Sequence, residues 1–139
     1  MKLVLFTVEE ANRSAVELRP LLERLIASKR EFEQLQDRIA VEALVLTSTG
    51  PESAEAAELQ RLQARRTELA ETISQGVQTM HRRGVLVKDL ERGLVDFYAL
   101  SGDRLIFLCW HLGEAEVSHW HTLEGGYSSR QPLNHTELD

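Results

Sequence analysis

With a single cysteine, Cys109, in 139 residues, the chain can form no intrachain disulfide, so its fold depends on packing and hydrogen bonds. Long apolar runs are missing too: none approaches the roughly 18 residues that cross a bilayer, which excludes a membrane-spanning helix. Cations are outnumbered, with 16 Lys and Arg against 22 Asp and Glu. The resulting net charge of -6 argues against nucleic acid or anionic lipid as a partner, because both are held by clustered cations. Only LVLF separates Met1-Lys2 from Thr7 and the acidic residues after it. That is too short for a signal-peptide core and lacks a small-residue cleavage site, so a cytoplasmic location is expected. Several enzyme signatures are also absent: there is no CxxC or HExxH, no GxGxxG or Walker pattern at Gly125-Gly126, and no GxSxG at Ser128-Ser129.

What remains is an ordinary globular composition, 42% hydrophobic and 27% charged, in a length that suits one domain over 1–139. Lys2 to Phe6 suits a short strand, and Thr7-Val8-Glu9-Glu10 fits a capping box that starts a helix near Val8. Pro20 predicts a kink or restart without ending that helix. Beyond it Leu18, Leu25, Phe32, Ile39 and Leu46 recur every seven residues, with Leu21 and Leu35 at the intermediate position. This is a coiled-coil-like stripe, made imperfect by Ser28 and Glu42. Thr47-Ser48-Thr49-Gly50-Pro51 breaks it. Ser53 then caps a second helix, whose stripe of Leu59, Leu62, Leu69, Ile73 and Met80 runs to Arg82-Arg83-Gly84. Gly76 falls on the inner stripe, where a glycine admits a close neighbour. Basic residues from Arg61 to Lys88 are mostly interleaved with glutamates and read as a solvated face.

After Val85 the period changes to alternation. Leu94 to Leu100, Leu105 to Leu112 and Val117 to Leu123 read as three strands, separated by Ser101-Gly102-Asp103 and Gly113-Glu114. The expected fold is therefore α+β: a long antiparallel helical hairpin (about 8–83) packed with a small three-stranded antiparallel sheet (segment about 85–132), followed by a frayed tail, 133–139.

Chemically capable residues concentrate in the sheet segment. His119 and His121, two apart on a strand, project from one face. An odd-length connection around Gly113 adds Cys109 and His111 to that face, a nitrogen and sulfur set suited to zinc or iron, while an even-length one substitutes Trp110. The alternative is a polar sheet face whose histidines bond to backbone or acids. Asp96 lies inside the apolar run GLVDFY, where a buried carboxylate needs a partner; Arg130, Lys88 or a backbone amide are expected. Lys88 and Asp89 are expected to pair and fix the turn that follows them. His121, Glu114, Asp96 and Arg130 are expected to converge in one polar cavity near Trp120, with His121 foremost because imidazole both bonds and ligates. Trp110 and Trp120 plug the sheet against the helices or, where exposed, anchor a partner.

Four stretches, FTVEEAN (Phe6 to Asn12), GVLVKDLERGLVDF (Gly84 to Phe97), LCWHLGEAEVSHWH (Leu108 to His121) and the glycine-arginine ending from Gly125 to Arg130, resemble the bacterial family catalogued as domain of unknown function 2203. Tyr98 and His111 stand where that pattern implies a proline and a basic residue. The resemblance implies a small cytoplasmic protein and supplies no catalytic residues. The expected function is a non-catalytic interaction or regulatory protein, homodimeric through its hairpin and binding an unidentified protein partner. The rival is a small metal-binding protein or metal-dependent enzyme that uses the His119 and His121 face.

Overall fold

The computed structural model describes residues 3–133. Helix α1 (Val8–Leu46) begins with both halves of the capping box in place: Thr7 Oγ1 accepts from the Glu10 amide at 3.1 Å, and Glu10 Oε1 accepts from the Thr7 amide at 2.9 Å. It runs 39 residues straight through Pro20. One proline removes a single helical bond, and the buried Leu22, Leu25 and Ile26 just beyond it hold the chain helical. Helix α2 (Ala54–Arg82) starts where the Ser53 hydroxyl accepts from the Ala56 amide at 3.2 Å.

The two helices run antiparallel. Leu25 faces Gly76 near the base, and farther out Arg65 pairs with Glu31 at 2.8 Å and Arg38 with Glu58 at 3.3 Å. A Cβ on Gly76 would stand 3.0 Å from Leu25 Cγ and closer still to both of its Cδ atoms, so this glycine lets the helices approach. The outer half of the hairpin has its own apolar cluster of Leu35, Ile39, Leu59, Leu62 and Leu69. No helix among the described residues is long and apolar enough to cross a membrane.

The sheet has five antiparallel strands, not three, in the order β1 (Val85–Asp89), β2 (Leu94–Ser101), β3 (Arg104–His111), β4 (His119–His121) and β5 (Gln131–Pro132). Both additions are short edges. VLVKD is too brief to show alternation, and a proline in β5 reads as a strand breaker although it is tolerated on an edge. Strand β4 is shorter than expected because its flanks bond elsewhere: the Val117 amide donates to Asn12 Oδ1 on α1 at 2.6 Å, and the chain turns at Thr122. Residues 3–7 are irregular rather than a strand, tied down by the Phe6 amide donating to the Tyr98 carbonyl at 2.8 Å, and Lys2 lies outside the described residues. So does the tail beyond Leu133.

Strand alternation divides the sheet into two unlike faces. Val85, Val95, Phe97, Ile106, Leu108 and Trp110 pack with Ala11, Leu18, Leu22 and Leu25 of α1 and Met80 of α2 into the main core. Burying each large side chain there contributes about 1.5–3 kcal/mol. The opposite face carries Asp96, Phe107, Cys109 and His121, also buried, and the segment through Gly125 and Ser128 overlies it.

Candidate functional site

Register decides which side chains share the second face. Asp96 stands opposite Cys109, Cys109 opposite His119, and Phe107 opposite His121. Directly opposed residues point the same way. The connection 112–118 is odd in length, so Cys109 and His111 lie on the face of His119 and His121.

Buried at the centre, His121 Nδ1 is 2.8 Å from the Thr122 carbonyl oxygen. A carbonyl only accepts, so Nδ1 carries a proton. His121 Nε2 is 3.1 Å from each Asp96 carboxylate oxygen, and a single proton holds that pair together. Burial raises the Asp96 carboxyl above its ordinary value; the charge and hydrogen bond of His121 and the charge of Lys88 only partly offset this. The Cys109 thiol is pushed up to about 12, first by burial and then by the Asp96 charge, so without a metal it keeps its proton and shares it with Asp96. The ligand atoms of Asp96, Cys109 and His121 all lie within 4.8 Å of one another. A tetrahedral ion with bonds of about 2.0–2.3 Å separates its ligands by about 3.3–3.8 Å, so the set closes on an ion with shifts of roughly 1 Å.

A second polar group adjoins it. Arg130 Nη2 bonds Glu114 Oε2 and lies 2.6 Å from His119 Nδ1. A guanidinium only donates, so His119 Nδ1 is unprotonated, and its 3.6 Å approach to Glu114 is no ion pair. Glu114 Oε1 also accepts from the His111 amide at 3.0 Å, and the Glu114 carbonyl accepts from Trp110 Nε1 at 3.1 Å. Burial alone would raise the Glu114 carboxyl, but the Arg130 hydrogen bond, the His111 amide and the Arg130 charge together hold it below the ordinary range. This group ties the turn after β3 to the C-terminal segment, where Arg130 stacks 4.7 Å from the Tyr127 ring centre.

A pocket of about 400 Å³ opens above the first group. Asp96, Cys109 and His121 are on its floor, Lys88 and Arg92 on one wall, and the loop from Gly125 to Ser128 on the other. Gly125 lets this loop close tightly, since a Cβ there would meet Thr122 Oγ1 at 3.1 Å and Ser129 Oγ nearer still. A larger hollow of about 680 Å³, against Val8, Val16 and Val117, has none of the candidate residues on its wall.

Several expectations change. The single four-residue cavity is instead two pairs, Asp96 with His121 and Glu114 with Arg130. Neither pair is beside Trp120, which stands opposite Leu108 on the helix side of the sheet. Asp96 takes His121 as partner instead of Arg130 or Lys88. Asp89 turns from Lys88 to Arg92, accepting from its amide at 3.2 Å, and Lys88 Nζ sits 4.5 Å above the Phe107 ring. Of the metal set, Cys109 and His121 come together with their ligand atoms within 4.8 Å, whereas His111 and His119 are not in that group. Asp96 takes their place. Trp110 is buried in the core, in its plugging position, and Trp120 is half-buried beneath Arg104. Asn12 and the Thr122 carbonyl were not foreseen. A polar residue beside Ala11 and Ala15 on an inward helix face was the available signal for Asn12, and a backbone carbonyl leaves none.

Residues 4–133 match the family described as Uncharacterized conserved protein (DUF2203). No curated protein and no solved structure matches the chain.

Proposed function

The chain belongs to the DUF2203 family, and from its site we propose that it is a small metal-binding protein in which Asp96, Cys109 and His121 hold one divalent ion of the zinc class. The observation that carries this is the convergence of oxygen, sulfur and nitrogen donors on a buried strand face, with His121 Nδ1 already donating to a backbone carbonyl. That bond fixes the ring so that Nε2 faces the other two donors, as in most histidine metal ligands. Three protein ligands and a fourth position toward the pocket suit zinc; iron oxygenase sites use two histidines and a carboxylate, and this group has one histidine. A bound ion would act as a Lewis acid on whatever occupied that fourth position. As a purely structural device the group is a poor choice, because apolar residues would fill the same strand face without the cost of burying polar atoms.

The test is elemental analysis of untagged protein, before and after dialysis against zinc. About one ion per chain is expected, lost in Cys109→Ser and in His121→Ala. Protein that takes up no ion, or both variants retaining it, contradicts the proposal.

Exposed apolar residues near the outer end of α1, Val41 at 58% and Leu44 at 72%, favour a second reading alongside the first: two copies associating through their hairpins into a homodimer. Light scattering should then give a dimer that Leu44→Lys converts to monomer. A monomeric wild-type protein at micromolar concentration contradicts it.

A further inference from the structure

We infer that the groove between the first half of α1 and the segment 114–117 docks an extended peptide segment of a partner protein, with apolar residues at alternate positions and lysine or arginine among them. The groove lies apart from the pocket above Asp96, Cys109 and His121, so this surface is independent of any metal bound there.

Helix geometry makes the groove. Val8, Asn12, Ala15, Val16 and Arg19 recur at three- and four-residue spacing, so they line one face of α1 over about 16 Å. That face bounds two adjoining hollows, of about 680 Å³ and about 250 Å³, which share Asn12, Val16 and Glu116. The opposite bank is fixed by Asn12, whose Oδ1 accepts from the Val117 amide, and Val117 is itself buried in the main core. Val16, at 74%, is the most exposed large apolar side chain among the described residues.

Charge and backbone together indicate the occupant. Glu9, Glu17 and Glu116 line the larger hollow with a single cation, Arg13. Arg83 already holds Glu17, while Glu9 and Glu116 have no cation within ion-pair distance among the described residues. On the smaller hollow Arg19 is paired with Glu23 and Glu114 with Arg130. The rim therefore attracts lysine or arginine and repels an acidic segment. Ala115 and Glu116, both exposed, make no hydrogen bond among the described residues, so their amides and carbonyls are open to a second chain. An extended peptide bonds such groups with its own backbone while its alternate side chains enter the groove. About five residues in that conformation span about 16 Å, the length of the groove. A second copy of this chain, at a formal net charge of -6, suits the acidic rim less well.

The experiment is selection from a displayed library of random heptapeptides on the full chain, followed by anisotropy titration of the selected sequences as labelled synthetic peptides. Those sequences should carry apolar residues at alternate positions and be enriched in lysine and arginine. Val16→Asp should weaken them by about tenfold or more, the scale of one buried valine. Val16 is exposed in the free protein, so the substitution leaves the fold intact, which circular dichroism checks. Glu116 is exposed as well, and a second selection on the Glu116→Lys variant should lose the preference for basic sequences. Leu44→Lys, near the outer end of α1, should leave binding unchanged. The inference is overturned if no sequence is enriched, if the selected sequences are acidic, or if they bind Val16→Asp as tightly as the wild-type protein. A wild-type dimer that Val16→Asp converts to monomer also overturns it, because a second copy then covers the groove.

Discussion

Replacing His121 by alanine in metal-free protein strands the Asp96 carboxylate, 3% exposed, with only the Cys109 thiol to bond it. Removing one member of a buried pair costs about 3–5 kcal/mol when the survivor must stay charged. Asp96 has another option, since burial already raises its pKa: it can take up a proton. An acid that binds its proton more tightly folded than unfolded carries no penalty below the ordinary aspartate range. Stability then falls as pH rises from that range through the raised folded value. Without His121 the charge and hydrogen bond that restrained the rise are gone, so the fall extends to higher pH. Urea denaturation with a chelator present should therefore show His121→Ala losing about 3 kcal/mol or more at about pH 8 and clearly less at about pH 5. Adding Asp96→Val removes the stranded acid, so the double variant should be more stable than His121→Ala at the higher pH. An equal loss at both pH values, or a double variant no more stable than the single, would refute the reasoning that the pair shares one proton.

Metal uptake should release about two protons per ion, one from the Cys109 thiol and one from the Asp96 and His121 pair, so affinity should fall about a hundredfold for each unit decrease in pH. Calorimetry in buffers of different ionisation enthalpy measures this, and a proton count near zero contradicts it. Gly76→Ala gains about 1 kcal/mol of helix propensity, but its Cβ meets the fully buried Leu25, an overpacking that costs about 1–3 kcal/mol. Urea midpoints should show net destabilisation in the wild-type background and none when Gly76→Ala is added to Leu25→Ala; a stabilised Gly76→Ala refutes the close approach.

Local chemistry made much of the fold legible. Thr7 and Glu10 announced the start of α1 and Ser53 that of α2, because caps depend on neighbours in sequence. The switch from heptad spacing to alternation after Gly84 placed β2 and β3. Edges were harder: β1 has five residues and β5 two, too few for alternation to register, although each pairs with the strand next to it in sequence. Chemistry at the site was half legible. Alternation put His119 and His121 on one face, but only the odd-length loop could bring Cys109 there, and the loop does not advertise its register. Asp96 drew attention as an acid among apolar residues, yet its partner was set by the pairing of Phe107 with His121, two strands away. His111 and His119 looked equivalent to His121 in sequence; what separates them is place in the sheet, which groups the His121 ring nitrogen within 4.8 Å of ligand atoms of Asp96 and Cys109.

X-ray absorption at the zinc edge of the loaded, untagged protein tests the metal centre most directly. One sulfur at about 2.3 Å with nitrogen and oxygen at about 2.0–2.2 Å, the sulfur vanishing in Cys109→Ser, is the result that Asp96, Cys109 and His121 predict. A shell of oxygen and nitrogen alone, or one unchanged by Cys109→Ser, would contradict it.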